Sequence, residues 1–373
     1  MSEIKYPIIR PFMPDQDAFM RYAEQIWDNR WLTNGGPLTA QLQTALCGKL
    51  NVPNAVVFAN GHLALDCALK AMGLRDGEAI TTPFTYLSTT NALSMNGLMP
   101  VFCDIKPTDC TIDETKIEAL ITEKTRVIVP VHVYGFPCNY NAIESIARRH
   151  NLKVIYDAAH AFGVAVDGQG IGNFGDASMF SFHATKVFHT VEGGAVTFRD
   201  PLLRDTLVSA KNFGLDAAGD APYVSFNAKM TEFHAAMGLA NLEIIDEQIA
   251  KRKLLTERYL DRLQDVPQLE LFHWNDPAVK YNYAYFPVLV SHSAKVDRDT
   301  LVSRLLNEYG IQSRKYFYPL ISDLTCYRNA HNSADTPIAK DISSRVLTLP
   351  LYVDLTTEDV DYICSIVRTI LIE

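Results

Sequence analysis

The sequence predicts an α/β protein with a large domain built on a mostly parallel central sheet and a smaller α+β C-terminal domain. Three observations carry this. From about residue 54 to 200, short apolar runs alternate with helical patterns, the order of a parallel sheet covered by helices. Some runs, such as Arg-Val-Ile-Val-Pro-Val at 126–131, are continuous rather than alternating, as strands buried on both faces are. Near residue 243 the pattern changes to a long amphipathic helix followed by mixed strands and helices.

In chain order, the first 35 or so residues read as a partly helical arm. Residues 55–58 form the first expected strand and 63–72 the helix after it. Further strands are expected at 79–82, 100–104, 126–132, 153–157, 177–182 and 194–198, with a helix at about 140–150. The long helix is expected to run from 243 to about 265, with Leu242, Ile245, Ile249, Leu254, Leu255 and Leu260 as its apolar positions. A strand at 285–290, a helix at 299–309 and a last helix at about 357–371 complete the small domain. The division expected is residues 1–245 for arm and large domain, and 246–373 for the small domain.

The 373 residues carry 43 acidic and 34 basic side chains, a formal net charge of −9. That balance argues against nucleic acid or an anionic membrane as a partner. Seven cysteines are scattered without a CxxC pair; they read as reduced thiols of a cytoplasmic protein, not as disulfides or metal ligands. The N-terminus lacks a signal-peptide pattern, and no apolar run is long enough to span a bilayer.

The chemistry gathers at a few strand ends. Lys186 lies in Ser-Phe-His-Ala-Thr-Lys-Val-Phe-His-Thr, from Ser181 to Thr190, before Gly193 and Gly194. Taken alone, such a lysine reads as a solvated surface residue. Asp157 ends the run Lys-Val-Ile-Tyr-Asp, and ligands in open α/β sheets bind outside the carboxyl ends of strands. A carboxylate there is either a helix cap or the partner of a protonated pyridine nitrogen. Together the acid and the lysine point to pyridoxal phosphate, because imine chemistry needs an amine that can shed its proton. Asn60, Gly61 and His62 join a strand to a helix, and a helix N-terminus is an anion site for the phosphate; the Ser181 hydroxyl is a further donor. Tyr86 follows a strand and is either a ring to stack on the cofactor or an ordinary core aromatic.

These places resemble the DegT-type sugar-nucleotide aminotransferases, over nearly the whole chain from Trp31-Leu-Thr-Asn-Gly-Gly-Pro to Leu347-Thr-Leu-Pro-Leu. The most specific stretches are Tyr-Asp-Ala-Ala-His-Ala-Phe-Gly around Asp157 and Ser-Phe-His-Ala-Thr-Lys-Val-Phe around Lys186, followed by Glu192-Gly-Gly-Ala. The resemblance implies the type I fold of pyridoxal phosphate enzymes, similar to aspartate aminotransferase. It implies that Lys186 bonds the cofactor, Asp157 pairs with its ring nitrogen and Tyr86 stacks on its ring. Gly61, His62 and Ser181 hold the phosphate, although His62 stands where many members have Thr or Ser. His160 takes the place of a frequent Gln beside the ring hydroxyl. His189, where Asn is frequent, reads as a packed or surface histidine.

The resemblance further implies a homodimer with shared active sites, in which Asn227, within Asn-Ala-Lys-Met, reaches the partner's phosphate. Its implied activity is transamination from glutamate, which leaves as 2-oxoglutarate, through pyridoxamine phosphate, to a nucleotide-linked keto sugar. The His-Ala-Thr-Lys-Val-Phe form is similar to members that aminate C4 of dTDP-4-keto-6-deoxy-D-glucose for O-antigen or another surface polysaccharide. A GDP- or UDP-linked 4-keto sugar, a dTDP-3-keto sugar, or a non-catalytic cofactor-binding regulator remain as alternatives. Trp31, Thr33, His183 and Tyr316 are the expected substrate contacts, each with a packing or loop role as its plainer reading.

Overall fold

Seven strands form the central sheet of the computed structural model, which describes residues 3–372. Five are β1 (Ala55–Phe58), β2 (Gly77–Thr81), β3 (Leu98–Phe102), β4 (Thr125–Ile128) and β5 (Lys153–Asp157); the others are Ala177–Ser181 and Gly194–Phe198. Across the sheet the order is β1, Gly194–Phe198, Ala177–Ser181, β5, β4, β2, β3. Gly194–Phe198 runs antiparallel to both of its neighbours, and the remaining pairs are parallel. Val56, Val57, Phe58, Val127, Ile128, Ile155 and Phe180 are all buried, which is why these strands read as unbroken apolar runs.

Helices cover both faces. The expected arm holds α1 (Gln16–Asn29), capped by the Asp15 carboxylate, and an unexpected helix, α2 (Pro37–Leu50), follows it. After β1 comes α3 (Gly61–Ala71), and after β2 comes α4 (Leu87–Met95). A helix at Tyr140–Arg149 leads into β5. The long helix runs Glu232–Leu263 and starts eleven residues before the expected position. From Ala235 to Asn241 the helix is buried on every side, so this stretch carries no amphipathic period.

That helix also enters the small domain, where Leu255, Tyr259 and Leu263 join its core. There Leu269–Leu271, Phe286–Val290 and Val346–Leu349 form an antiparallel sheet, backed by Arg298–Tyr309 and Thr357–Ile372. The expected boundary at 245/246 falls inside the long helix. Among the described residues no helix is long and apolar enough to cross a membrane, no acid–thiol–imidazole cluster could hold a metal, and all seven cysteines are free thiols.

Candidate active site

The carboxyl ends of the parallel strands open into one cavity of about 400 Å³. Asn60, Gly61, His62, Tyr86, Asp157, His160, Ser181, His183, Lys186 and Tyr316 all line it. Asn60 and Tyr316, more than 250 positions apart in the chain, thereby meet in one cavity.

Asn60 is the N-cap of α3, its side chain accepting the Leu63 N–H at 2.9 Å. This leaves the Gly61 and His62 N–H groups at the positive end of the helix. Gly61 must be glycine: a Cβ there would stand 2.8 Å from Ser181 Cβ. That close approach puts the helix end beside the Ser181 hydroxyl, so backbone and side-chain donors converge as an anion cradle. The His62 ring turns to Ser88, with Nδ1 3.0 Å from its hydroxyl.

Asp157 closes β5 and is buried. Its carboxylate accepts the Thr89 hydroxyl at 2.6 Å and the Ala159 N–H at 3.0 Å. Burial pushes the carboxyl upward, while those two donors and the Lys186 charge pull it back. A buried acid with neutral donors at both oxygens suits a cationic ring N–H as its further partner.

Lys186 sits in the turn after Ala177–Ser181, half-buried, its own N–H donating to the His183 carbonyl at 2.9 Å. Phe182 and Phe188 anchor the turn in the core, and the Thr190 N–H closes it on the Phe182 carbonyl. Nζ points to the Tyr285 hydroxyl, 3.5 Å away. His183 accepts the Thr185 N–H on Nδ1 and lies 3.6 Å from the Glu192 carboxylate through Nε2. Tyr86 is 55% exposed, so a face of its ring is open to the cavity.

His160 is buried, and burial with the nearby Lys186 and Arg314 charges holds its pKa well below the usual value. Its Nδ1 accepts the Tyr134 N–H at 3.1 Å. The neutral ring therefore carries its hydrogen on Nε2, which donates to the Tyr316 oxygen at 3.2 Å.

Trp31, Thr33 and Asn227 do not line this cavity. The Trp31 indole N–H donates to the Thr33 carbonyl at 2.6 Å, in an exposed loop before α2. Asn227 is exposed, and its backbone bridges to Asn212. His189 is a packing residue: its Nε2 binds the Phe12 carbonyl at 2.8 Å, and its ring lies against the Phe12 ring.

Several wall residues escaped the sequence reading: Tyr285, Arg314, Thr85, Ser88 and Glu192 line the cavity, and Thr89 stands behind Asp157. Arg314 lies over the Tyr316 ring, 4.4 Å from its centroid. The aromatic run from Tyr281 to Phe286 was the available signal for Tyr285, and it reads equally as the start of a buried strand.

The cavity fits pyridoxal phosphate on its own chemistry: an anion cradle that a Cβ would fill, a buried acid, an open aromatic face and a lysine amine. Comparison with known proteins agrees. The model of the DegT/DnrJ/EryC1/StrS aminotransferase family matches residues 14–368. A dTDP-4-amino-4,6-dideoxy-D-glucose transaminase of Shigella dysenteriae is 40% identical, over 97% of this chain and 98% of that protein. The spore coat polysaccharide biosynthesis protein SpsC of Bacillus subtilis is 33% identical over 92% of each chain. Among solved structures, DesI in the presence of its TDP-sugar product superposes with a TM-score of 0.93, at 33% identity, covering 99% of this chain and 93% of that one. By the extent of these matches, the chain belongs to the DegT/DnrJ/EryC1/StrS aminotransferase family.

Proposed function

We propose that the protein is a pyridoxal phosphate-dependent transaminase that moves an amino group from glutamate to C4 of dTDP-4-keto-6-deoxy-D-glucose. The product is dTDP-4-amino-4,6-dideoxy-D-glucose, for O-antigen or a similar surface polysaccharide. The observation that carries the reaction class is the convergence of Lys186, Asp157 and the α3 N-terminus in one cavity. The choice of sugar rests on the Shigella relative.

When bound, pyridoxal phosphate supplies an aldehyde that bonds amines and a ring that accepts the electron pair left by a departing α-proton. The Gly61 and His62 N–H groups and the Ser181 hydroxyl receive its phosphate. Asp157 would keep the ring nitrogen protonated, Tyr86 would cover the ring, and His160 would stand beside it. Lys186 bonds the cofactor at rest. With its amine free, Lys186 would be the group that takes up and gives back a proton, as base and then acid. The same groups run the steps in reverse on the keto sugar, a ping-pong cycle. Trp31, Thr33, His183 and Tyr316 are proposed to meet the nucleotide sugar.

We infer a homodimer in the cytoplasm, in which the partner subunit's Asn227 completes the phosphate site. Its support is an exposed apolar patch of Trp27, Trp31, Leu32 and Phe233, held together by the Trp27–Phe233 ring contact and the Glu232 N–H bond to the Leu32 carbonyl. Patches of this kind mark association surfaces. Free thiols suit a reducing compartment.

The test is to incubate the loaded protein with glutamate and a panel of dTDP-, UDP- and GDP-linked 3- and 4-keto-6-deoxy sugars, and to solve each product by NMR. The expected product carries an equatorial amine at C4 of the dTDP sugar, as the gluco configuration requires, and none forms with Lys186→Ala. Preferential amination of a GDP or 3-keto substrate would overturn the sugar assignment, and no amination at all would overturn the activity.

A further inference from the structure

Lys186 leaves its bond to the cofactor in each turnover of the proposed reaction, and its four-carbon stem is then free to change rotamer. Among the described residues, the side-chain hydrogen-bond partner of Nζ is the Tyr285 hydroxyl, at 3.5 Å. Tyr285 is itself held on several sides. Its ring lies 4.7 Å from His160, 5.3 Å from Tyr316 and 6.0 Å from Tyr134, centroid to centroid. Behind it the buried Arg252 guanidinium, reaching in from the long helix, donates to the carbonyls of Ala284 (3.4 Å) and Leu351 (3.2 Å). Arg252 has no carboxylate partner among the described residues. Burial lowers its pKa to about 10, and the Tyr285 phenol is the neighbour that opposes this. A cation that could have been replaced by an apolar side chain thus fixes the backbone that carries Tyr285.

The neighbouring Tyr316 ring, 5.3 Å from Tyr285, is itself fixed. His160 donates from Nε2 to the Tyr316 oxygen, and burial, together with the neighbouring Tyr285 phenol, holds the Tyr316 hydroxyl well above its usual pKa.

The geometry points to Tyr285 as a positioning residue for Lys186: its hydroxyl holds the amine beside the reacting carbon while Lys186 is off the cofactor. The Tyr316–His160 pair and Arg252 keep that hydroxyl in place. No bond of Tyr285 changes in this role. Lys186 alone takes the proton from the α-carbon and gives it back; the phenol exchanges a hydrogen bond with Nζ. The inference rests on the transaminase reading above and adds a residue that the sequence did not single out.

Tyr285→Phe removes one oxygen and keeps the ring, so the packing around His160 and Tyr316 stays. Both half-reactions, with glutamate and with keto sugar, are expected to slow by on the order of 10- to 100-fold, the usual effect of a misplaced catalytic group, with KM little changed. The α-deuterium isotope effect with glutamate should rise, because proton transfer then limits the rate more fully. A merely structural role would not move it. The rate at which added pyridoxal phosphate bonds to Lys186 in the apo-protein, followed by absorbance, should fall as well, at unchanged Tm. That last rate needs no substrate, so it judges Tyr285 even where the sugar reading fails. The inference is overturned by an unchanged bonding rate, by slowing confined to the keto-sugar half, or by a loss of rate that tracks a loss of Tm. If wild-type protein does not convert between its two cofactor forms with glutamate, the transaminase reading fails instead.

Discussion

At the scale of single residues, Asp157 sits in an environment at odds with its solution chemistry. Burial pushes its carboxyl toward the protonated form, and two neutral donors and the Lys186 charge only partly oppose this. A cationic ring nitrogen would complete the balance, and a neutral one would not. Asp157→Asn keeps the shape and removes the charge. Its amide keeps one acceptor for the Thr89 hydroxyl or the Ala159 N–H and loses the other. The expected outcome is a single-turnover rate with glutamate reduced on the order of 10²-fold or more, with the protein still folded. A near-normal rate in stopped-flow would remove Asp157 from the mechanism. Asp157 and Lys186 were legible because each stands at or just beyond the end of an apolar run, where the strand-end rule already places ligands. Thr89 was not, because a threonine in a helix carries no sign of which neighbour its hydroxyl will reach.

At the scale of elements, α2 shows what a sequence pattern cannot contain. Its N-cap is Gly36, which has no side chain to cap with. The cap comes from Glu232, at the start of the long helix, whose carboxylate accepts the Leu38 N–H at 2.7 Å, the Thr39 N–H at 3.0 Å and the Thr39 hydroxyl. A Cβ at position 36 would stand 2.6 Å from Glu232 Cδ, so the glycine makes room for a cap delivered from nearly two hundred residues away. No local window holds both halves of that interaction, and α2 went unexpected. The early turns of the long helix were missed for a related reason: small residues buried all round give no period. Glu232 is 1% exposed, so Glu232→Ala strands two backbone donors. It should lower stability by about 2–4 kcal/mol, read as a lower urea midpoint, with Glu232→Gln losing less. An unchanged midpoint in the alanine variant would mean that the α2 end is satisfied by water.

At the scale of the whole molecule, the alternating order of strands and helices gave the sheet, and the sheet gave the cavity floor. The cavity's far wall is different. Tyr285, Arg314 and Tyr316 enter from the small domain, more than a hundred positions beyond Asp157, and only the packing of the two tyrosines against Tyr134 and His160, beyond β4 and β5, shows which residues face inward. The same logic extends past one chain. Asn227, Trp31 and Thr33 sit outside the cavity, and Trp31 belongs to an apolar surface in which Trp27 is 67% and Leu32 59% exposed. If two copies pair through that surface and share sites, the two kinds of residue belong to different chains in each site. Lys186→Ala disables a site from within. Asn227→Asp disables the site next door, because its charge repels the phosphate. Each variant alone should be nearly inactive. In a mixed dimer both changes fall in one site and the other site is wild type. Co-expressed in equal amounts with separable tags, the two variants should therefore recover about a quarter of wild-type activity, the share of intact sites when subunits pair at random in a twofold dimer. Activity no greater than that of the parents, in a sample in which mixed dimers are isolated by both tags, would place Asn227 in its own subunit's function and leave each site the property of one chain.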